Sequence, residues 1–180
     1  MSTRLLSLVV FAVLIAGCGG AGGVMSYDAD RDVTRYETSR MTVAQAGAGG
    51  NFASQTSIRM QVGAECSGRE CVPEEARMAF TVEGQSDVAI SSRQLTIEID
   101  DQTFEWGEEE SWNRMGDMGT AQGRIVTITL PLSDLEAIAQ SSSIEGSLGN
   151  KSLDLGGIQS ELQTFVQTAR NPSAAGTEGR

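Results

Sequence analysis

A mainly β, α+β fold is predicted for this chain: an antiparallel β-sandwich or partly closed barrel with two short helices near the C-terminus. Three observations predict it. Apolar residues alternate with polar ones at Ile58, Met60 and Val62, at Met78, Phe80 and Val82, at Leu95, Ile97 and Ile99, and at Val126, Ile128 and Leu130, the period-2 pattern of half-buried strands. Gly149-Asn150 stands as a two-residue turn between two further short runs. Helical periodicity comes only late, where Ile158, Leu162, Phe165, Val166 and Ala169 share one helix face.

In chain order, Arg4 and the apolar run Leu5–Leu14 lead into Ile15-Ala16-Gly17-Cys18. A cationic start, an apolar segment too short for a stable transmembrane helix, and small residues where a peptidase must reach the backbone make an export leader. The stretch resembles the lipobox of bacterial lipoproteins. That resemblance, confined to residues 1–18, implies removal of residues 1–17 as a signal peptide, a diacylglycerol on the Cys18 sulfur, and an acylated mature N-terminus. The implied partner is the lipid bilayer. At roughly 0.8 kcal/mol per buried methylene one chain holds a protein only marginally, whereas two or three palmitate-type chains anchor it for good. Gly19 in place of Asp points such proteins to the outer membrane of the cell envelope, facing the periplasm or the cell surface.

Residues 18–26 then form a glycine-rich tether, Gly19-Gly20-Ala21-Gly22-Gly23 having nothing to bury. Residues 27–169 read as one domain, since the length suits a single core. Asp28, Asp30 and Asp32 have the spacing of the first three ligands of a calcium loop, but Val33 and Ser39 stand where that loop wants Gly and Glu. They are expected to be solvated turn residues ahead of a strand from Thr34 to Thr38. Beyond Met41-Thr42-Val43, Gly47-Ala48-Gly49-Gly50-Asn51 interrupts any regular element.

Cys66 and Cys71 flank Ser67-Gly68-Arg69-Glu70. In an oxidising compartment such a pair should close into a loop disulfide, contributing roughly 2 kcal/mol on the chain-entropy model. A redox pair or half of a metal site is the alternative, against which stand a spacing that is not Cys-x-x-Cys and a chain without histidine.

The chain carries 13 basic and 24 acidic residues, and loss of Arg4 with the leader leaves the mature protein near −12. So acidic a surface repels phosphate backbones, which excludes nucleic acid as a partner. Only Lys151 among the basic residues is a lysine, a bias that fits a salt-rich habitat or a GC-rich genome equally.

Further along, Asp100-Asp101-Gln102 is expected to turn the chain between Leu95–Ile99 and Thr103–Trp106. Ser133-Asp134-Leu135-Glu136 after Pro131 has the form of a capping box opening a short helix to about Gln140. In the hairpin Ile144–Leu155 a type II′ turn at Gly149-Asn150 would pair Leu148 with Lys151, Gly146 with Leu153 and Ile144 with Leu155. Glu145 would then face Asp154, a like-charge pair. The second helix should dock its apolar stripe on the sheet and end at Asn171-Pro172-Ser173, with residues 170–180 a loose tail.

Catalysis finds little to work with. Histidine is absent, and no serine or cysteine lies in a nucleophile motif. Glu105, Glu108, Glu109 and Glu110 could supply the two carboxylates of a hydrolase such as a glycosidase, but they read as an exposed loop, so no enzyme and no cofactor are expected. The same loop is bracketed by Trp106 and Trp112, the only tryptophans. Rings beside carboxylates suit a glycan or a partner protein, and Trp106, Glu108, Glu109, Glu110, Trp112 and Asp117 are the candidate ligand-binding residues, for carbohydrate or a divalent cation. Against this, Trp106 is in phase with Phe104 and could belong to the core. Met115 and Met118 nearby are read as filler.

In layout the mature chain also resembles uncharacterised bacterial envelope proteins. Tyr27-Asp28 opens the domain, a strand pair like Leu95–Trp106 follows, and the end runs strand, capped helix, hairpin, helix across Ile125–Ala169. That resemblance implies no particular activity. The expectation is an envelope lipoprotein with a binding or structural role, its partner an envelope protein or a glycan.

Overall fold

Ten strands and three helices make up the computed structural model, which describes residues 24–46, 56–83, 94–100, 102–107 and 124–175. In chain order they are β1 Val24–Asp28, β2 Val33–Glu37, β3 Met41–Ala46, β4 Thr56–Ser67, β5 Glu75–Glu83, β6 Leu95–Ile99, β7 Gln102–Trp106, β8 Arg124–Pro131, α1 Leu132–Gln140, β9 Ile144–Leu148, β10 Lys151–Leu153, α2 Gln159–Arg170 and α3 Pro172–Ala175. One sheet runs β1-β2-β4-β5-β8 with β3 also on β4, and a second runs β10-β9-β6-β7. Every pairing is antiparallel. The expected mainly β, α+β architecture is the one observed, and of the sandwich and the partly closed barrel it is the sandwich-like arrangement, two antiparallel sheets with helices late in the chain, that the described residues form.

Alternation does what the sequence promised. Met60, Phe80 and Val126 lie side by side across three strands, as do Val62, Met78 and Ile128, and all six are buried. The intervening residues of β4, β5 and β8 form the sheet's other face. In the second sheet Leu95, Ile97 and Leu148 are buried, and Phe104 and Trp106 pack against the same core from β7. The two sheets and both longer helices share that core: β10 touches β3, β7 touches β8, α1 lies on β5 and β8, and α2 on β2.

β2 and β3 run end to end along one edge of β4. At the break the side chain of Thr38, itself buried, replaces a ladder acceptor: Val62 N–H donates to Thr38 Oγ1 at 2.9 Å, while Thr38 N–H donates to the Val62 carbonyl at 2.9 Å. A buried amide without a partner would cost about 1–3 kcal/mol, so threonine at this position keeps the edge intact.

The C-terminal elements follow the predicted order with corrections in detail. Helix α1 does not use Ser133 as its cap; the N-cap is Pro131 and no side-chain cap bond forms. The reason is Leu132, which is fully buried and whose N–H donates to the Glu74 carbonyl at 2.8 Å, so the chain turns helical directly off β8. Glu136 instead accepts from Gln140 and from Arg170.

In the hairpin Leu148 pairs with Lys151 and Gly146 with Leu153 as expected, and of the turn residues only Gly149 has positive φ, 58°, as type II′ requires. Ile144 does not reach Leu155, because β10 ends at Leu153 and Asp154 N–H turns away to the Val43 carbonyl. Leu155 folds back over Gly146, where a Cβ would lie 2.5 Å from its Cδ1. Glu145 accordingly faces Glu98 of β6 rather than Asp154.

The apolar stripe of α2 is buried throughout, at Leu162, Phe165, Val166 and Ala169. Two boundaries move. Val24 to Ser26 belong to β1 and not to a tether, since Met25 packs on the core opposite Tyr36. Residues 172–175 form a further helical turn, with Pro172 buried at the position where its fixed φ favours a helix start.

Candidate functional site

The connection from β4 to β5 borders a concavity on the described residues. Cys66 and Cys71 form the expected disulfide, with Cα atoms 5.9 Å apart. The loop they close is held from the β1–β2 hairpin by side chains suited to grip backbone. Thr34 Oγ1 donates within reach of two carbonyls, Gly68 at 2.5 Å and Arg69 at 3.0 Å. Tyr36 Oη donates to the Cys71 carbonyl at 2.7 Å. Gly68, at φ 97°, donates its N–H to the Asp32 carbonyl at 2.8 Å.

The Arg69 guanidinium lies 4.9 Å from the ring centre of Tyr27, a cation–π contact, and Tyr27 Oη donates to Asp32 Oδ1 at 2.7 Å. That bond to a carboxylate raises the Tyr27 pKa first, burial and the Asp32 charge adding to it and Arg69 opposing. Burial raises Tyr36.

Beside this loop β4 and β5 part company, their pairing ending at Gly63↔Arg77. A groove of about 720 Å³ opens there on the outer face of the larger sheet. Its floor is low because Gly63, Ala79 and Thr127 occupy outward positions on three adjacent strands. Its walls are Glu37, Glu65, Glu74, Glu75 and Arg77, with Val72 on the lip. Arg35 Nε donates to Glu65 Oε1 at 2.7 Å from the neighbouring strand. Glu65 and Glu75 each lie one outward position past the last paired residues, so they flank the mouth where the strands separate. Val72 and Val24 are the exposed large apolar residues among those described, 44% and 66% accessible.

The register also sets where the groove lies. Val24 pairs with Glu37, Glu37 with Gly63, Gly63 with Arg77 and Arg77 with Thr129. With strands about 4.8 Å apart, Gly63 lies about 10 Å from Val24. The groove therefore opens close to the point at which the N-terminal segment enters the domain.

The residues singled out from sequence fare unevenly. Trp106 ends β7 half-buried, its ring parallel to Phe104 at 7° with centroids 5.7 Å apart, and it packs against the core. Glu105 points to the opposite face and accepts from Gln94 Nε2 at 2.9 Å. Glu108, Glu109, Glu110, Trp112 and Asp117 lie outside the described residues, as does Cys18.

Asp28, Asp30 and Asp32 do not converge. Asp28 accepts the backbone N–H groups of Asp30 and Arg31 and Asp32 takes the Tyr27 hydroxyl, which are turn roles. Among the described residues no three His, Cys, Asp or Glu side chains are placed to hold a metal ion, and no helix is long and apolar enough to cross a membrane.

Sequence reasoning missed the groove, whose only advance signal was the small residues Gly63, Ala79 and Thr127 at outward positions of three separate strands. No family model, curated protein or solved structure matches this chain.

Proposed function

We propose that this chain is a lipid-anchored protein of the bacterial cell envelope whose β-rich domain binds a partner and carries out no chemistry on it. The observation that carries the reading is Ile15-Ala16-Gly17-Cys18 standing six residues before the first strand. Acyl chains on Cys18 fix the protein to a bilayer, the outer membrane on the evidence of Gly19, and six residues reach at most about 20 Å. The domain then works at the membrane surface, with the groove beside the Cys66–Cys71 loop as its binding face. Exposed carboxylates without a histidine or an activated nucleophile suit recognition better than proton transfer.

The direct test places a photo-crosslinking residue at Gln61, which lines the groove, and at Thr96 on the second sheet, in the lipidated protein in living cells. A membrane-bound adduct from position 61 and none from position 96 supports the reading. Equal adducts from both, or none from 61, sink it.

A second reading rests on Trp106, whose ring is only half covered at the start of the acidic stretch. In it Trp106, Glu108, Glu109, Glu110, Trp112 and Asp117 capture a glycan or a divalent cation. Loss of glycan-array binding or of calcium-dependent melting in Trp112→Ala supports this alternative, and unchanged behaviour ends it.

A further inference from the structure

The geometry points to an extended peptide segment bearing lysine or arginine side chains as the occupant of the groove beside the Cys66–Cys71 loop, an inference that rests on reading that groove as the binding face.

Charge comes first. Four carboxylates, Glu37, Glu65, Glu74 and Glu75, line the groove against one lining guanidinium, Arg77, and Arg35 offsets only Glu65. An anionic ligand would meet this wall and the mature chain's overall negative charge together, whereas a cation gains from both. Glu65 and Glu75 flank the mouth, which places two of these carboxylates where a cationic side chain would enter.

Shape and apolar contact are independent of charge. The floor at Gly63, Ala79 and Thr127 lets a backbone lie low across three strands, and a space near 720 Å³ lies within the range that encloses drug-sized ligands, well above the need of a single amino group. Val72, 44% exposed on the lip, offers an apolar seat for the methylene stem that lysine and arginine carry behind their charge. A small amine supplies the charge but not the length to use floor, mouth and lip together.

The test uses the mature lipidated protein in detergent micelles and the labelled peptide acetyl-Ala-Lys-Ala-Lys-Ala, followed by fluorescence anisotropy. The lysyl peptide should bind, and more weakly as salt rises. Its glutamyl counterpart should not bind, and spermidine should compete only poorly. The double substitution Glu65→Gln/Glu75→Gln should weaken binding about fivefold, the sum of two exposed charge pairs. Glu98→Gln/Glu145→Gln, which removes the same charge from the other sheet, should change it less than twofold. Gly63→Leu, whose Cβ meets nothing closer than 3.6 Å, should block the floor without unfolding the domain, as a matched melting curve checks.

Equal weakening by the two double variants, binding of the glutamyl peptide, spermidine competing as well as the peptide, or no binding of the lysyl peptide overturns the assignment. Failure here beside a crosslinked adduct at position 61 removes this ligand class alone. Absence of that adduct removes the groove reading itself.

Discussion

At the scale of single residues, polar side chains inside the sheet do structural work that hydrophobic patterning does not announce. Thr34, Tyr36 and Thr38 are all buried, and each spends its hydroxyl on a backbone group of another strand or loop. Burial raises the Tyr36 pKa above its ordinary value of 10.0, so the folded state holds this proton where the unfolded chain has begun to release it. The stability tied to this group is therefore complete below pH 10 and falls as pH climbs toward the folded-state value. Tyr36→Phe should cost about 0.5–1.5 kcal/mol at neutral pH through the lost bond to Cys71 and should flatten part of the loss above pH 10. Urea melts at pH 7 and pH 11 check both, and an alkaline slope unchanged by the substitution contradicts this account of Tyr36.

At the scale of elements, what was legible in the sequence divides along a physical line. Strands β4, β5, β6 and β8 could be read because alternation is a local property of one strand facing one core, and the β9–β10 turn because Gly149 must take positive φ. The start of α1 could not. Ser133 and Glu136 satisfy every local rule of a capping box, yet burial of Leu132 against the core sets the helix start two residues earlier, with Pro131 as the N-cap, a tertiary demand that outweighs a cap worth about 1 kcal/mol. Ser133→Ala should then leave the melting temperature unchanged or slightly raised, alanine being the better helix former. A loss of about 1 kcal/mol would mean the box operates after all. Glu145 departs from the hairpin pattern for a similar reason, since its partner Glu98 lies far away in sequence and only the assembled sheet brings them together.

At the scale of the whole molecule, the division of the ten described strands into two sheets and the sharing of one β4 edge by β2 and β3 depend on pairings between distant segments, which no local pattern encodes. The groove has the same origin. Gly63, Ala79 and Thr127 are unremarkable in their own strands and become a floor only in register, beside the disulfide expected of Cys66 and Cys71. The proposed compartment, by contrast, rests on a few consecutive residues, Ile15 to Cys18, and the proposed service at a membrane surface and kind of partner both depend on it.

The most direct measurement is the intact mass and N-terminal peptide of the chain recovered from bacterial membranes. A mature protein starting at Cys18, with a diacylglycerol on its sulfur and an acylated amino group, is the predicted result. A chain that keeps residues 1–17, or begins elsewhere with a free unmodified amine, would contradict the lipid-anchored account.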